Sequence, residues 1–348
     1  MMKKGVIISL LASLLFVKFA TATELNIYLW EDTLSKRVIN KWNESHNVKL
    51  NLYHFDNDDE RSLLMLKSLQ LPFDIVVLDN ISAHLFSRQN VFENLKDLPN
   101  RKNNLPRWNQ ACGTHAIPYF WGSVGIAYRK SKVDHIPTKW NDVVQMSDKQ
   151  KGHVGMIQDS VETLLPALYS LDYSPITDNE NALKQAYQKM LKANPNILTF
   201  EYLLSYVRSH KNSDKLHLAV AYSGDQYSLN RFFGNDDWDF VTPDGEPYLW
   251  IDCMAINSNS HVKKEAKEFL EFLMDPEIAK INALDIRAAT PNTAALKILP
   301  KSYVNDKSIF PPAAAQGGGL IDSELSPANL NVRAKIINSI INQHEAKP

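Results

Sequence analysis

Leu25-Asn26-Ile27-Tyr28-Leu29-Trp30 reads as a strand, and the patterns on its C-terminal side decide the fold class. Asp32 or Thr33 can cap a helix, and Leu34, Val38 and Trp42 recur every four residues, laying one apolar stripe along it. Val48, Leu50, Leu52 and His54 then alternate with Lys49, Asn51 and Tyr53, a period-two strand. Leu63, Leu66 and Leu69 mark another helix, and Phe73-Asp74-Ile75-Val76-Val77-Leu78-Asp79 is an apolar strand ending on a polar residue. Strands interleaved with helices imply an α/β fold with a mostly parallel, doubly wound sheet. Ligands of such sheets sit beyond the carboxyl ends of the strands. Trp30-Glu31-Asp32 and Asp79-Asn80 fall at such ends.

The α/β style continues along the chain. A polar stretch, 98–110, leads into Ile117-Pro118-Tyr119-Phe120-Trp121-Gly122, and Val124 to Tyr128 reads as the next strand. Beyond it come a helix near 182–193, strands at 218–222 and 248–252, and an amphipathic helix marked by Val262, Ala266, Phe269 and Leu273. The Pro/Ala/Gly-rich stretch 310–320 reads as a loop, and a last helix lies near 334–341.

The N-terminus reads as an export signal. Lys3 and Lys4 precede an uncharged apolar run, Gly5 to Val17, and Ala20-Thr21-Ala22 supplies a small-x-small cleavage pattern. The run is too short for a membrane span, so residues 1–22 are expected to be removed and the mature chain to act in the periplasm. Losing Lys3, Lys4 and Lys18 takes the formal charge from -1 to about -4. That balance argues against a nucleic-acid partner. Roughly 325 remaining residues suit two lobes, each with its own core. Cys112 and Cys253 are the two cysteines. In an oxidising compartment they form either a bridge or two buried free thiols.

Enzyme signatures fail. Gly317-Gly318-Gly319 is followed by Leu320, not by a phosphate-loop Lys-Ser/Thr, and no Gly-x-Ser-x-Gly or His-Glu-x-x-His is present. No cofactor and no metal site is expected. Aromatic residues paired with carboxylates stand out instead. Trp250 and Asp252, two apart on a strand, share a face; Trp30 lies two residues before Asp32, and Tyr222 three before Asp225. Asp159 and Glu162, three apart, converge on one face of a helical turn. Carboxylates accept from ammonium groups, and ring faces attract cations by roughly 0.5–2 kcal/mol. A linear polyamine, with ammonium groups separated by methylene runs, uses both. Each element also has a bland reading: core packing for Trp30 and Trp250, helix caps for Asp32 and Asp225, a solvated helix start for Asp159 and Glu162.

These segments resemble the periplasmic spermidine/putrescine-binding proteins of polyamine transport systems, over about Leu25 to Pro312. Tyr28-Leu29-Trp30-Glu31-Asp32 resembles the family's opening strand and turn, and 117–122 its first interlobe strand. Gly152 to Glu162 is similar to the amine-binding segment, Ala221-Tyr222-Ser223-Gly224 to the aromatic wall, Trp250-Ile251-Asp252 to the motif with a central carboxylate, and Thr290-Pro291-Asn292 to a further landmark. The resemblance implies a type II two-lobe binding protein, with lobe one at 23–126 and 251–297, lobe two at 127–250 and 298–348, and crossover hinge strands between. It implies a ligand-binding set of Trp30, Glu31, Asp32, Asp79, Tyr119, Asp159, Glu162, Tyr222, Trp250 and Asp252. The implied protein is a monomer that closes on a polyamine of the spermidine, norspermidine or putrescine class and presents it to an inner-membrane receptor or ABC permease.

Departures from the pattern bear on which role applies. Ile81 and Ala288 stand where transport proteins carry tyrosines, and Asp79 and Glu31 where they carry small hydroxyl residues. These departures, with the acidic run 56–61, resemble the norspermidine/spermidine-sensing branch, whose members act on a membrane receptor controlling cyclic-di-GMP. That reading ranks ahead of uptake. The rivals are ferric-iron capture, disfavoured because no adjacent Tyr pair occurs, a hydrolase using Asp159 and Glu162 as acid and base, and a structural partner of a membrane complex with an empty pocket.

Overall fold

The computed structural model describes residues 23–55, 65 and 71–346; the expected signal segment 1–22, the acidic run 56–61 and the helix carrying Leu63, Leu66 and Leu69 lie outside the described residues. Ten strands form the sheet system among those residues: β1 (Thr23–Trp30), β2 (Val48–Phe55), β3 (Ile75–Asp79), β4 (Ala116–Arg129), β5 (Val154–Gly155), β6 (Ile197–Thr199), β7 (Leu218–Tyr222), β8 (Trp238–Val241), β9 (Tyr248–Ile256) and β10 (Leu320–Ile321). Their order is β2-β1-β3-β9-β4-β7-β5-β6, with β8 on β4 and β10 on β9. β2, β1 and β3 run parallel, as do β6, β5 and β7, while β4 and β9 pair antiparallel with each other and with β3 and β7. The fold is mixed α/β, as the alternating pattern predicts.

The two expected segments 117–122 and 124–128 are one strand, β4, buried from Ala116 to Tyr128. It changes partners midway: 116–123 pair with β9, whereas 124–129 pair with β7 and β8. Three apolar cores lie on either side of this switch. The first gathers Leu25, Ile27, Leu29, Val38, Trp42, Val77 and Phe269; the second gathers Val124, Ile126, Leu165, Leu183, Val220 and Ile340; the third gathers Ala127, Leu203, Val207, Ala219 and Leu229. Trp250 packs against the first two. Leu299, Tyr303, Ile309, Phe310 and Ala314, which the 297/298 boundary assigns to the second lobe, pack in the first core. Their apolar side chains come after a helix, Thr293–Ile298, that is still anchored there by Leu296.

Local chemistry sets the element ends. Ser35, rather than Asp32 or Thr33, caps helix Lys36–Ser45, its hydroxyl accepting from Arg37 N–H. Asp79 caps helix Asn80–Arg88, accepting from Ser82 N–H at 2.7 Å and Ser82 Oγ at 2.6 Å. The polar stretch after Leu98 is a 3-10 turn, 99–103, followed by helix Pro106–Cys112, which brings the chain round to β4. The expected loop 310–320 contains a short helix, Pro312–Ala315, before β10 begins.

Cys112, ending its helix, and Cys253, in β9, form a disulfide across 141 positions, both side chains buried. Gly122 is equally constrained: a Cβ there would overlap the Ser223 hydroxyl and stand 2.6 Å from the Trp250 ring. Closing so long a loop restricts the unfolded chain, so replacing both cysteines with serine should cost about 2–4 kcal/mol in denaturant unfolding. Gly122→Ala should displace Trp250, lower stability by ~1–3 kcal/mol, and alter tryptophan emission in the folded state.

Candidate ligand-binding cleft

β9 supplies the centre. Period-two alternation turns Ile251 and Cys253 inward and leaves Trp250 and Asp252 half-buried on the opposite face. In the ladder with β3, Asp252 stands opposite Asp79. Trp30, the last residue of β1, donates its indole N–H to Asp252 Oδ1 at 3.3 Å and meets Phe55 edge-on at 4.3 Å. The strand end at Trp30 and the middle of β9, 222 positions apart in sequence, therefore build one wall.

The opposite wall comes from the second core. Asp159 begins a turn in which its Oδ1 accepts Val161 N–H at 2.8 Å, while Thr163 Oγ1 donates to Ile157 O at 2.8 Å. This local bonding leaves Asp159 exposed and turns Glu162 inward, so that Tyr222 Oη donates to Glu162 Oε1 at 3.4 Å. The Tyr222 ring meets Trp250 edge-on, with centroids 6.4 Å apart. Asp225 braces this wall from behind, accepting Tyr222 N–H at 2.8 Å and the Tyr202 hydroxyl. Burial pushes its carboxyl up to about 7 against those two donors. The expected Tyr222–Asp225 pair is thus a wall and its support.

A further carboxylate belongs to the cleft and was not expected. Asp322, just past β10, hydrogen-bonds through its backbone to Leu249 O and to the Asn80 side chain. Burial pushes its carboxyl up to about 6, opposed by the neighbouring Tyr248 hydroxyl and reinforced by Asp159 and Asp79. Burial also raises Glu162 well above the ordinary carboxylate range, with Asp159 and then Asp322 adding to the rise. Asp159 and Asp79 thus disfavour charge on Asp322, and Asp159 and Asp322 disfavour it on the buried Glu162. Such carboxyls can accept hydrogen bonds from ammonium groups. No signal in the sequence marked Asp322, because the β10 pairing that places it joins residues 320 and 248.

Several expected residues face elsewhere. Glu31 and Asp32 are exposed and pair across to Arg208 at 3.0 Å and Arg231 at 3.7 Å, on helices Leu203–Ser209 and Asp225–Phe233 of the third core. Asp32 sits at φ 59°, a left-handed turn that carries it out of line with β1. Tyr119 is buried; its hydroxyl donates to Thr33 O and accepts from Asn282 Nδ2 at 2.9 Å. Burial raises that phenol far above its usual range, which makes it a strut under the wall. The Asp79 carboxylate holds Ser82. Of the expected set, Trp30, Asp159, Glu162, Tyr222, Trp250 and Asp252 come together. Among the described residues no group of three or more His, Cys, Asp or Glu is arranged to hold a metal, and no helix is long and apolar enough to cross a membrane.

Comparison with known proteins agrees with this architecture. A norspermidine sensor of Vibrio cholerae is 63 % identical over 329 residues, covering 94 % of this chain and 92 % of that protein. The putrescine-binding periplasmic protein SpuD of Pseudomonas aeruginosa is 28 % identical, with 82 % and 83 % covered. The crystal structure of the spermidine/putrescine transporter substrate-binding protein PotD of Streptococcus pneumoniae superposes with a TM-score of 0.80 at 22 % identity, covering 92 % of this chain and 99 % of that one. The sequence pattern of the bacterial extracellular solute-binding proteins matches residues 37–311. The chain belongs to that family, a class of binding proteins rather than of enzymes.

Proposed function

We propose that this protein is a periplasmic receptor for a linear polyamine of the norspermidine/spermidine class, closing its two lobes on the ligand and presenting the closed form to an inner-membrane partner. One observation carries the reading: two half-buried aromatic rings, Tyr222 and Trp250, lie between a carboxylate group at Asp159, Glu162 and Asp322 and another at Asp252. The rings accept methylene chains and attract cations; the carboxylates take up ammonium groups that replace the water they give up. The name of the 63 % identical relative supports norspermidine as the first ligand to test. The site residues are Trp30, Asp159, Glu162, Tyr222, Trp250, Asp252 and Asp322. Tyr119 and Asp225 support them, and Glu31 and Asp32 close the rim against Arg208 and Arg231. As exposed pairs, the rim contacts contribute no more than about 1 kcal/mol each.

Lobe one, on this reading, is the first core and lobe two the second and third, with β4 and β9 as hinge strands. Ligand contacts from both sides favour the closed state. The mature protein is a monomer starting near Thr23, and its partner is a receptor that controls cyclic-di-GMP. Presentation to an importer is the second reading, supported by the putrescine- and spermidine-binding relatives at 28 % and 24 % identity. A deletion strain that keeps polyamine uptake but loses the cyclic-di-GMP response to norspermidine supports sensing; loss of uptake supports import.

Calorimetric titration with norspermidine, spermidine and putrescine tests the ligand. Asp252→Asn, Glu162→Gln and Asp322→Asn should each remove a charged hydrogen bond and cost roughly 1.5–3 kcal/mol, about ten- to a hundredfold in Kd. Unchanged affinity in all three removes the assignment.

Asp322 and Glu162 also make binding depend on pH. Both folded carboxyls titrate above the ordinary value, so in their protonated form they favour the empty protein at low pH; for Asp322 that contribution is lost as pH rises through about 6. An ammonium ligand needs them ionised. Affinity should therefore be about tenfold weaker at pH 5 than at pH 7.5, with proton release on binding in the calorimeter. A flat profile would sink the assignment of these two carboxyls.

A further inference from the structure

Behind the Asp159–Glu162 turn lies a cation that the binding reading leaves unused. Arg333, on helix Pro327–Glu345, is 0 % exposed. Its guanidinium donates to Asn329 Oδ1 at 2.6 Å, Ser160 O at 3.2 Å, Pro175 O at 2.7 Å and Thr177 O at 3.0 Å. All four acceptors are neutral, and among the described residues Arg333 has no ion-pair partner within 4.0 Å. A buried charge without a direct counter-ion is unstable unless something nearby balances it. The groups that act on it electrostatically are Tyr248 at the start of β9, Asp322 after β10, and Asp159 and Glu162 on the turn. These are the cleft's own acids, approached from the protein side.

The contact to Ser160 O has a geometric consequence. That carbonyl shares a peptide unit with Val161 N–H, which donates to Asp159 Oδ1. Fixing one end of a planar unit fixes the other. Arg333 thus sets the direction of the hydrogen bond that orients Asp159, and holds the Ser160–Val161 peptide one residue before Glu162. Pro175 O and Thr177 O both accept from Nη2, the remaining arm of a rigid planar fork that an ammonium on a flexible stem does not reproduce.

We propose that Arg333 is a positioning residue of the cleft: from behind the wall it fixes the 159–162 turn, and its charge balances the acids whose open side receives the cation. The proposal rests on the polyamine reading and has a readout independent of it. In norspermidine titrations across pH 5.5–8.5, Arg333→Gln should weaken binding at least ~10-fold at pH 7.5 and raise the pH of half-maximal affinity by about one unit, because the acids lose a balancing charge. Arg333→Lys should hold that pH within ~0.3 unit while losing affinity several-fold, since charge is kept and the fork is lost. Equal losses with no movement of the pH midpoint in either variant would mean scaffolding alone and overturn the proposal, as would full affinity in Arg333→Gln. If Arg333→Gln fails to fold by circular dichroism, Arg333→Lys decides: a shifted midpoint or unchanged affinity overturns it. If the wild type binds no polyamine, the proposed function fails separately. The ligand-free melting temperature then tests Arg333: the margin of wild type over Arg333→Gln, or over Arg333→Lys if only that variant folds, should widen from pH 5 to pH 8 for Gln and stay constant for Lys. A constant margin for Gln, or a widening one for Lys, overturns the proposal.

Discussion

Mutual repulsion among carboxyl groups in a poorly solvated cleft is the constraint on which the rest of the structure depends. Asp159 acts on both Glu162 and Asp322, Asp322 acts on Glu162, and Asp159 and Glu162 lie on a single turn. Such a group is unfavourable unless protons, a fixed cation or a bound cation relieve it. The fold provides partial relief through Arg333 behind the wall and through raised proton affinity at Glu162 and Asp322. A polyamine carries several cations on one flexible chain, and so can relieve the rest.

Aromatic rings complement this arrangement because they present weakly negative faces that cost nothing to dehydrate between the charged points. Tyr222 is held by Asp225, and Trp250 by the lack of a side chain at Gly122. The wall is therefore stiff before any ligand arrives, which reduces the ordering cost of binding. Asp225 bonds Tyr202 and the Tyr222 backbone at once, so one buried carboxyl fixes two rings.

Local pattern made much of this legible. Alternation along β1, β2 and β9 marked the strands, and the two-residue spacing of Trp250 and Asp252 set both on one face. The three-residue spacing of Asp159 and Glu162 anticipated one turn but not its asymmetry, with Asp159 exposed and Glu162 buried, because that depends on Thr163 and Arg333. Glu31 and Asp32 resembled ligand contacts by position, yet Asp32 takes a left-handed turn and both acids meet arginines from the other half of the molecule. Asp322 and Arg333 were invisible because long-range pairing and helix docking place them, not any local motif. The disulfide was one of two states compatible with a cysteine pair; packing of helix Pro106–Cys112 on β9 selects it.

The partner switch of β4 between Ser123 and Val124 has a mechanical corollary. Gly122 is paired with Trp250 in the ladder, next to that switch, so any rotation of one half against the other pivots near them. Points close to a pivot travel least. On the proposed closure the indole would therefore act as the fixed jaw against which an incoming chain is seated.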